Sequence, residues 1–320
     1  MTTKHISLRL IARWAGWGLV ALASVFFIRE VIRQMPTFTQ IAWDMHGLFA
    51  IGFSTALMLL VVLIGGGMWF ALLRDQNQTP NLLTALRIVA LSQIAKYLPG
   101  NVGHLVGQVT LAKGAGIPIG VAMTTLTISS LWLIAIGVGL GSFGILSLTE
   151  TMEMDWMPSL SAWHLAALTV ILCVAPWVGI LILNRWLPKL SELIGGGRKL
   201  ALPRISTALL LGIGFTVCFF IFGLMLELQA TYLFNADSGN WLILTLLFTG
   251  AWVSGYLVPG APGGIGVREA MMIILLTPIV GGSAATGLGI SMRVATTAGD
   301  ALAFVLGTVI SRWEGHSNAA

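Results

Sequence analysis

The chain has 320 residues, of which 57% are hydrophobic and only 9% charged. Soluble domains carry about 25% charged residues, so this composition cannot cover a water-facing surface and excludes both a soluble enzyme and a disordered chain. The formal charge of +5 then reports how Lys and Arg sort across a bilayer, not a nucleic-acid footprint. The two cysteines, Cys173 and Cys218, both lie in apolar runs and offer neither metal spacing nor a disulfide framework.

A membrane-crossing helix takes about 20 mostly apolar residues. Segments 12–32, 47–73, 117–148, 160–184, 206–228 and 284–311 meet that requirement, and two more apolar regions, 82–113 and 241–282, are interrupted. The first span follows Lys4, Arg9 and Arg13 and carries Ala21-Leu22-Ala23, which resembles a signal-peptide cleavage site. Its apolar run continues through Phe26, Phe27 and Ile28, so it reads as an uncleaved signal-anchor. Trp43, Trp156, Trp163, Trp186, Trp241 and Trp313 fall near span ends, where an indole ring lies at headgroup level.

Basic residues set the expected orientation. The stretch 185–205 holds Arg185, Lys189, Arg198, Lys199 and Arg204 and is expected inside. The stretch 149–159 holds Glu150, Glu153 and Asp155 without Lys or Arg, and 229–240 holds only Asp237; both are expected outside. Both termini are then cytoplasmic. Arg29 and Arg33, in 29–46, run against this assignment.

The interrupted regions resemble each other. Lys96-Tyr97-Leu98-Pro99-Gly100-Asn101-Val102-Gly103 recurs as Tyr256-Leu257-Val258-Pro259-Gly260-Ala261-Pro262-Gly263, with Pro99, Gly100 and Gly103 each 160 residues before Pro259, Gly260 and Gly263. Pro118 and Pro278 share the offset. The chain thus reads as two transmembrane repeats, 1–160 and 161–320, each with three crossings and one hairpin, the second upside down relative to the first. Such inverted repeats mark many transporters. Pro-Gly breaks expose backbone groups that cost several kcal/mol each in lipid, so they belong in protein or around a wet cavity. The fold expected is an all-α polytopic membrane protein with about six spanning helices and two Pro-Gly-tipped helical hairpins. Eight to ten spans is the alternative. Arg87 and Lys96 argue against it, because they make 82–98 a poor lipid-facing span.

The ionisable residues left in apolar surroundings are the candidate site. Each costs at least ~2.5–3.5 kcal/mol at a bilayer centre and therefore faces a partner or water. Arg268 and Glu269 follow the glycine-rich tip Gly263-Gly264-Ile265-Gly266; a guanidinium beside free backbone N–H groups suits a phosphate. Glu269 either tunes that charge, binds the partner cation, or pins the hairpin as a structural pair with the arginine. Arg293 and Asp300 lie seven residues apart on one face of the last span. Asp300 is expected to pair with Arg268 or Arg293, or else to carry a proton. In the first hairpin Lys96, Tyr97, His104 and Gln108 are the polar counterparts. Gly137, Gly141 and Gly65-Gly66-Gly67 read as helix-packing positions. No metal cluster, Walker loop, nucleophile elbow or catalytic carboxylate pair appears in the sequence, so no cofactor and no enzymatic reaction are expected.

The run Leu98-Pro99-Gly100-x-x-Gly103, with Pro259-Gly260-x-Pro262-Gly263-Gly264-x-Gly266-Val267-Arg268-Glu269, resembles the flippase-like lysylphosphatidylglycerol synthase transmembrane family over about residues 10–312. The resemblance implies a membrane unit that moves a phospholipid or polyprenyl-linked envelope lipid between leaflets of a bacterial inner membrane. In two-domain members a soluble synthase makes an aminoacylated lipid. This chain is expected to lack such a domain and not to transfer amino acids. Gln108 stands where members often carry arginine, and 122–130 lacks their charged pair, so a doubly charged headgroup fits less well. The rival readings are a scaffold for envelope glycosyltransferase machinery and an ion-coupled transporter of a small anion. Expected partners are membrane lipids and envelope-lipid biosynthesis enzymes, with no nucleic acid.

Overall fold

A computed structural model describes residues 29, 32, 44–97, 103–152, 162–194, 197, 199–236, 239–258, 264 and 266–317. All regular structure among them is helical. The first span, 12–32, falls outside the described residues except for Arg29 and Ile32. The tip residues Pro99, Gly100, Pro259, Gly260 and Gly263 also fall outside, as do Trp43 and Trp156.

The other five expected spans are helices of membrane-crossing length and apolarity. They are α1 (Met45–Asp75), α4 (Ile119–Met152), α5 (Ala162–Trp186), α7 (Ile205–Phe234) and α10 (Gly282–Ser317). The first interrupted region is α2 (Leu82–Ser92), a 3-10 segment (Gln93–Tyr97) and α3 (Gly103–Gly114). The second is α8 (Trp241–Leu257) and α9 (Val267–Val280). A short α6 (Pro188–Ile194) lies in the basic stretch 185–205. The chain is a multi-pass, all-α membrane protein.

Local chemistry sets the ends. Asp44 accepts from the Gly47 N–H (2.8 Å) to open α1, Asn81 from Thr84 (2.6 Å) to open α2, and Asn240 from Leu242 (2.9 Å) to open α8. At the far end of α7, Asn235 turns left-handed at φ 46°, a conformation that Asn tolerates. This corrects one boundary. The stretch 229–240 is not a loop throughout, because α7 continues to Phe234 before that cap. Its last turns are apolar, and Gln229 is buried, donating to Ser54 Oγ of α1 (3.0 Å).

The long helices other than α10 are apolar on every face, as expected of spans buried on one side and lipid-facing on the other. Trp69, Leu73, Phe219, Phe248 and Met292 are buried, while Ile171, Ile182, Ile213 and Val309 are exposed. Trp163, Trp186 and Trp313 are exposed at helix ends, where an aromatic belt would place them. Cys173 and Cys218 are free.

The two halves share an element order. α1 and α7 open at Met45 and Ile205, the same 160-residue offset as the tip motifs, and the pairs α2/α8, α3/α9 and α4/α10 follow. α1 packs on α7; α2 packs on α1 and on α10, and α8 packs on α7 and on α4. Each broken helix therefore rests on the last long helix of the other half, and the packing pattern is unchanged when the halves are exchanged. Pro118 and Pro278 do not share in this likeness. Pro118 lies just before α4, whereas Pro278 lies within the last turn of α9.

The α4–α8 crossing depends on close approach. A side chain on Gly141 would come within 2.8 Å of the Gly250 backbone, so only glycine admits the helices at this spacing. A side chain on Gly66 would meet Leu86 Cδ2 of α2 at 2.7 Å, a flexible end that can move, and its Cα at 3.3 Å.

The segment between α6 and α7 is clasped. Gln76 donates to the Ala201 carbonyl (2.8 Å) and accepts from its N–H (3.1 Å). Asp75, buried at the end of α1, accepts from the Arg204 N–H (2.8 Å). Trp177 donates to the Pro203 carbonyl (2.8 Å). Ser191 is buried, pairs with Asn184, and accepts from the Leu200 N–H (3.0 Å).

Candidate functional site

Broken helix two delivers its charges through a tight turn. Gly264 and Gly266 adopt φ +72° and +84°, values that favour glycine. Gly264 lies against the Gly255 backbone, and a side chain on Gly255 would meet Arg268 Cβ at 2.9 Å. The N-terminus of α9 thus folds back hard onto the end of α8. Glu269 Oε2 accepts from the Gly266 N–H (2.8 Å), satisfying one of the free donors at the helix start. Arg268 and Glu269 are both buried.

Two pairing groups meet α10 here. Glu269 Oε1 lies 3.3 Å from Arg268 Nη2 and 3.8 Å from Arg293 Nη1, so one carboxylate serves two guanidinium groups. Asp300 forms an ion pair with Lys96 and accepts from Tyr97 Oη (2.6 Å). The Tyr97 hydroxyl also lies 3.2 Å from Thr297 Oγ1. Tyr97 stands between the groups: Lys96 Nζ is 5.7 Å and the Arg293 guanidinium carbon 5.9 Å from its ring centre, within cation–π range. The partner expected for Asp300 needs correction. It pairs with Lys96 of the first broken helix, not with Arg268 or Arg293. Arg293 lies two turns away, about 10 Å along the axis, whereas α2 and its 3-10 extension pack directly on α10.

Three cations, Lys96, Arg268 and Arg293, face two carboxylates, Glu269 and Asp300. Among the described residues this cluster carries one positive charge in excess. The cluster borders a cavity of about 260 Å³ that Lys96, Tyr97, His104, Gln108, Arg268 and Arg293 help to line. Gly264 also reaches its wall, whereas Glu269 and Asp300 act from behind the cations. Among the described residues, the buried Arg268 Nε and His104 Nδ1 have no hydrogen-bond partner. An unsatisfied buried donor carries a desolvation cost of about 1–3 kcal/mol, which an anion in the cavity would relieve at Arg268. Gly103 opens α3, one residue before His104.

Sequence reasoning missed Ser129, Ser130, Tyr256 and Thr296, which also line the cavity. Tyr256 donates to Ser130 Oγ across α8 and α4 (2.9 Å). These are uncharged residues in apolar helices, and only a polar residue recurring on one helical face would have marked them. Among the described residues no group of His, Cys, Asp and Glu has a metal-binding arrangement.

The chain matches the lysylphosphatidylglycerol synthase TM region over residues 10–303. No curated protein and no solved structure gives a match.

Proposed function

Because this chain belongs to the lysylphosphatidylglycerol synthase transmembrane family, we propose that it moves a lipid with an anionic headgroup between the leaflets of a bacterial inner membrane. The observation that carries this reading is the cavity cluster with one cation in excess, among helices long and apolar enough to cross a bilayer. A buried excess charge is expensive in lipid and is relieved by an opposite charge. Arg268, on a glycine-shaped helix start, would take a phosphate through its planar fork. The two tips would meet at this polar centre in an inverted repeat, with both termini cytoplasmic. In this reading the chain performs no covalent chemistry.

The test is translocation by purified protein in phosphatidylcholine vesicles, with a fluorescent phosphatidylglycerol in the inner leaflet and an impermeant quencher outside. Wild type should expose the probe. Arg268→Lys keeps the charge but loses the fork, and should fold normally while slowing exposure. Arg268→Ala should slow it further. Full activity in Arg268→Ala at normal protein levels would overturn the assignment. Failure of wild type to expose the probe, with an envelope glycosyltransferase co-purifying, would favour the scaffold.

Orientation has its own measurement. Ser191 is buried and unsuited to labelling, whereas the neighbouring Glu192 is exposed. Glu192→Cys should react with an impermeant thiol reagent only after permeabilisation, and Ser238→Cys in intact cells. The reverse pattern would overturn the orientation.

A further inference from the structure

Beside the charged cavity lies a second hollow, of about 500 Å³, in the face formed by α3 and α4. Val106, Val109 and Thr110 line it from α3, and Met123, Thr127 and Leu131 from α4. We infer that this groove holds one hydrocarbon chain of the lipid whose anionic headgroup occupies the charged cavity. The inference rests on the headgroup reading above and adds where the tail goes.

Three observations carry it. First, the groove offers little to polar ligands. Its threonines are already spent on their own helices: Thr110 Oγ1 donates to the Val106 carbonyl (2.8 Å) and Thr127 Oγ1 to the Met123 carbonyl (2.9 Å). Ser130 accepts from Tyr256. Hydrocarbon is what remains for such a wall to recognise. Second, the groove opens sideways. Val106 is 60% and Met123 56% exposed, and α4 is of membrane-crossing length, so these lips face acyl chains. Third, groove and cavity are continuous. Leu105, Leu126, Ser130 and Tyr256 line both. The Tyr256–Ser130 bond therefore stands at the seam where the surroundings change from charged to apolar. That is the division found within an amphiphile.

The test uses phosphatidylglycerol carrying a photoreactive diazirine in one acyl chain, with wild-type protein in phosphatidylcholine vesicles. After illumination, mass spectrometry should find adducts concentrated on residues 105–131. The reference is α5, whose Ile171 and Ile182 are also exposed but which does not line the groove. Thr127→Trp fills the groove from a lipid-exposed position and should abolish the enrichment. Val106→Trp does the same from the other wall, so a folding defect in one variant does not decide the matter. Even labelling of α5 and the groove, or enrichment unchanged in both filled variants, would overturn the groove. Arg268→Ala separates the two readings. Groove adducts that persist there, with translocation intact, keep the groove and overturn the headgroup assignment. Translocation lost in Arg268→Ala without groove enrichment in wild type overturns the groove alone.

Discussion

The two broken helices meet the same helix, α10, but with different charge balance. The first presents Lys96 to Asp300, one cation to one carboxylate, with Tyr97 as a second donor. The second presents Glu269 to both Arg268 and Arg293. The charges before the first break and those after the second thus carry unequal duties. The first pairing is neutral and holds the 3-10 segment against α10. The second leaves a positive charge on the cavity wall. Two breaks of similar sequence need not share chemistry; the difference is the reason for proposing the anion site at the second one.

Substitutions can break that comparison, and the largest effect should come from Glu269→Gln. It leaves the buried Arg268 and the part-buried Arg293 facing each other without their shared counter-charge, and removing one member of a buried pair costs about 3–5 kcal/mol. Thermal unfolding in detergent should show the greatest loss here. A Glu269→Gln protein as stable as wild type would mean that the shared carboxylate does not hold the second break.

Asp300→Asn should cost less. Its partner Lys96 is 20% exposed and borders the cavity, so water can partly replace the lost charge; a loss of about 1–3 kcal/mol is expected. Lys96→Met added to Asp300→Asn should recover part of it, since an unpaired cation is then gone. Additive losses in the double variant would show that the two residues are not coupled. The smallest effect belongs to Tyr97→Phe. It deletes the hydroxyl's bond to Asp300 and its contact with Thr297 but leaves the ion pair, and should cost about 1 kcal/mol. A loss as large as that of Asp300→Asn would make the tyrosine, not the lysine, the principal partner.

Much of this arrangement was legible in the residues. Span positions followed from apolar run length, because a bilayer imposes a fixed thickness. The charged residues that gather at the cavity stood out by their rarity, because charges in lipid need a reason. Pairing did not follow. Arg293 and Asp300 lie on one helix face, and that periodicity suggested they act together. Each instead turns to a different broken helix, because long-range packing, which sequence spacing does not encode, brings Lys96 to Asp300 and Glu269 to Arg293. The groove was illegible for another reason. Val106, Met123 and Leu131 look like any lipid-facing residues, and only the angle between α3 and α4 makes them a hollow. The end of α7 was misplaced because Gln229 has the composition of a loop residue, whereas its amide is held inside by Ser54.

The clasp on residues 200–204 bears on how the chain behaves when it is cut. Leu200, Ala201, Pro203 and Arg204 are tied to α1, α5 and α6 through Asp75, Gln76, Trp177 and Ser191. Gly197, just before them, is exposed. A protease nick at Gly197 would therefore sever the polypeptide while leaving the first residues of the second fragment bound to the first. α1 would still lie along α7, and α4 along α8. The two pieces should migrate as one particle in detergent and separate only on denaturation. The protein could then be expressed as two chains that find each other in the membrane.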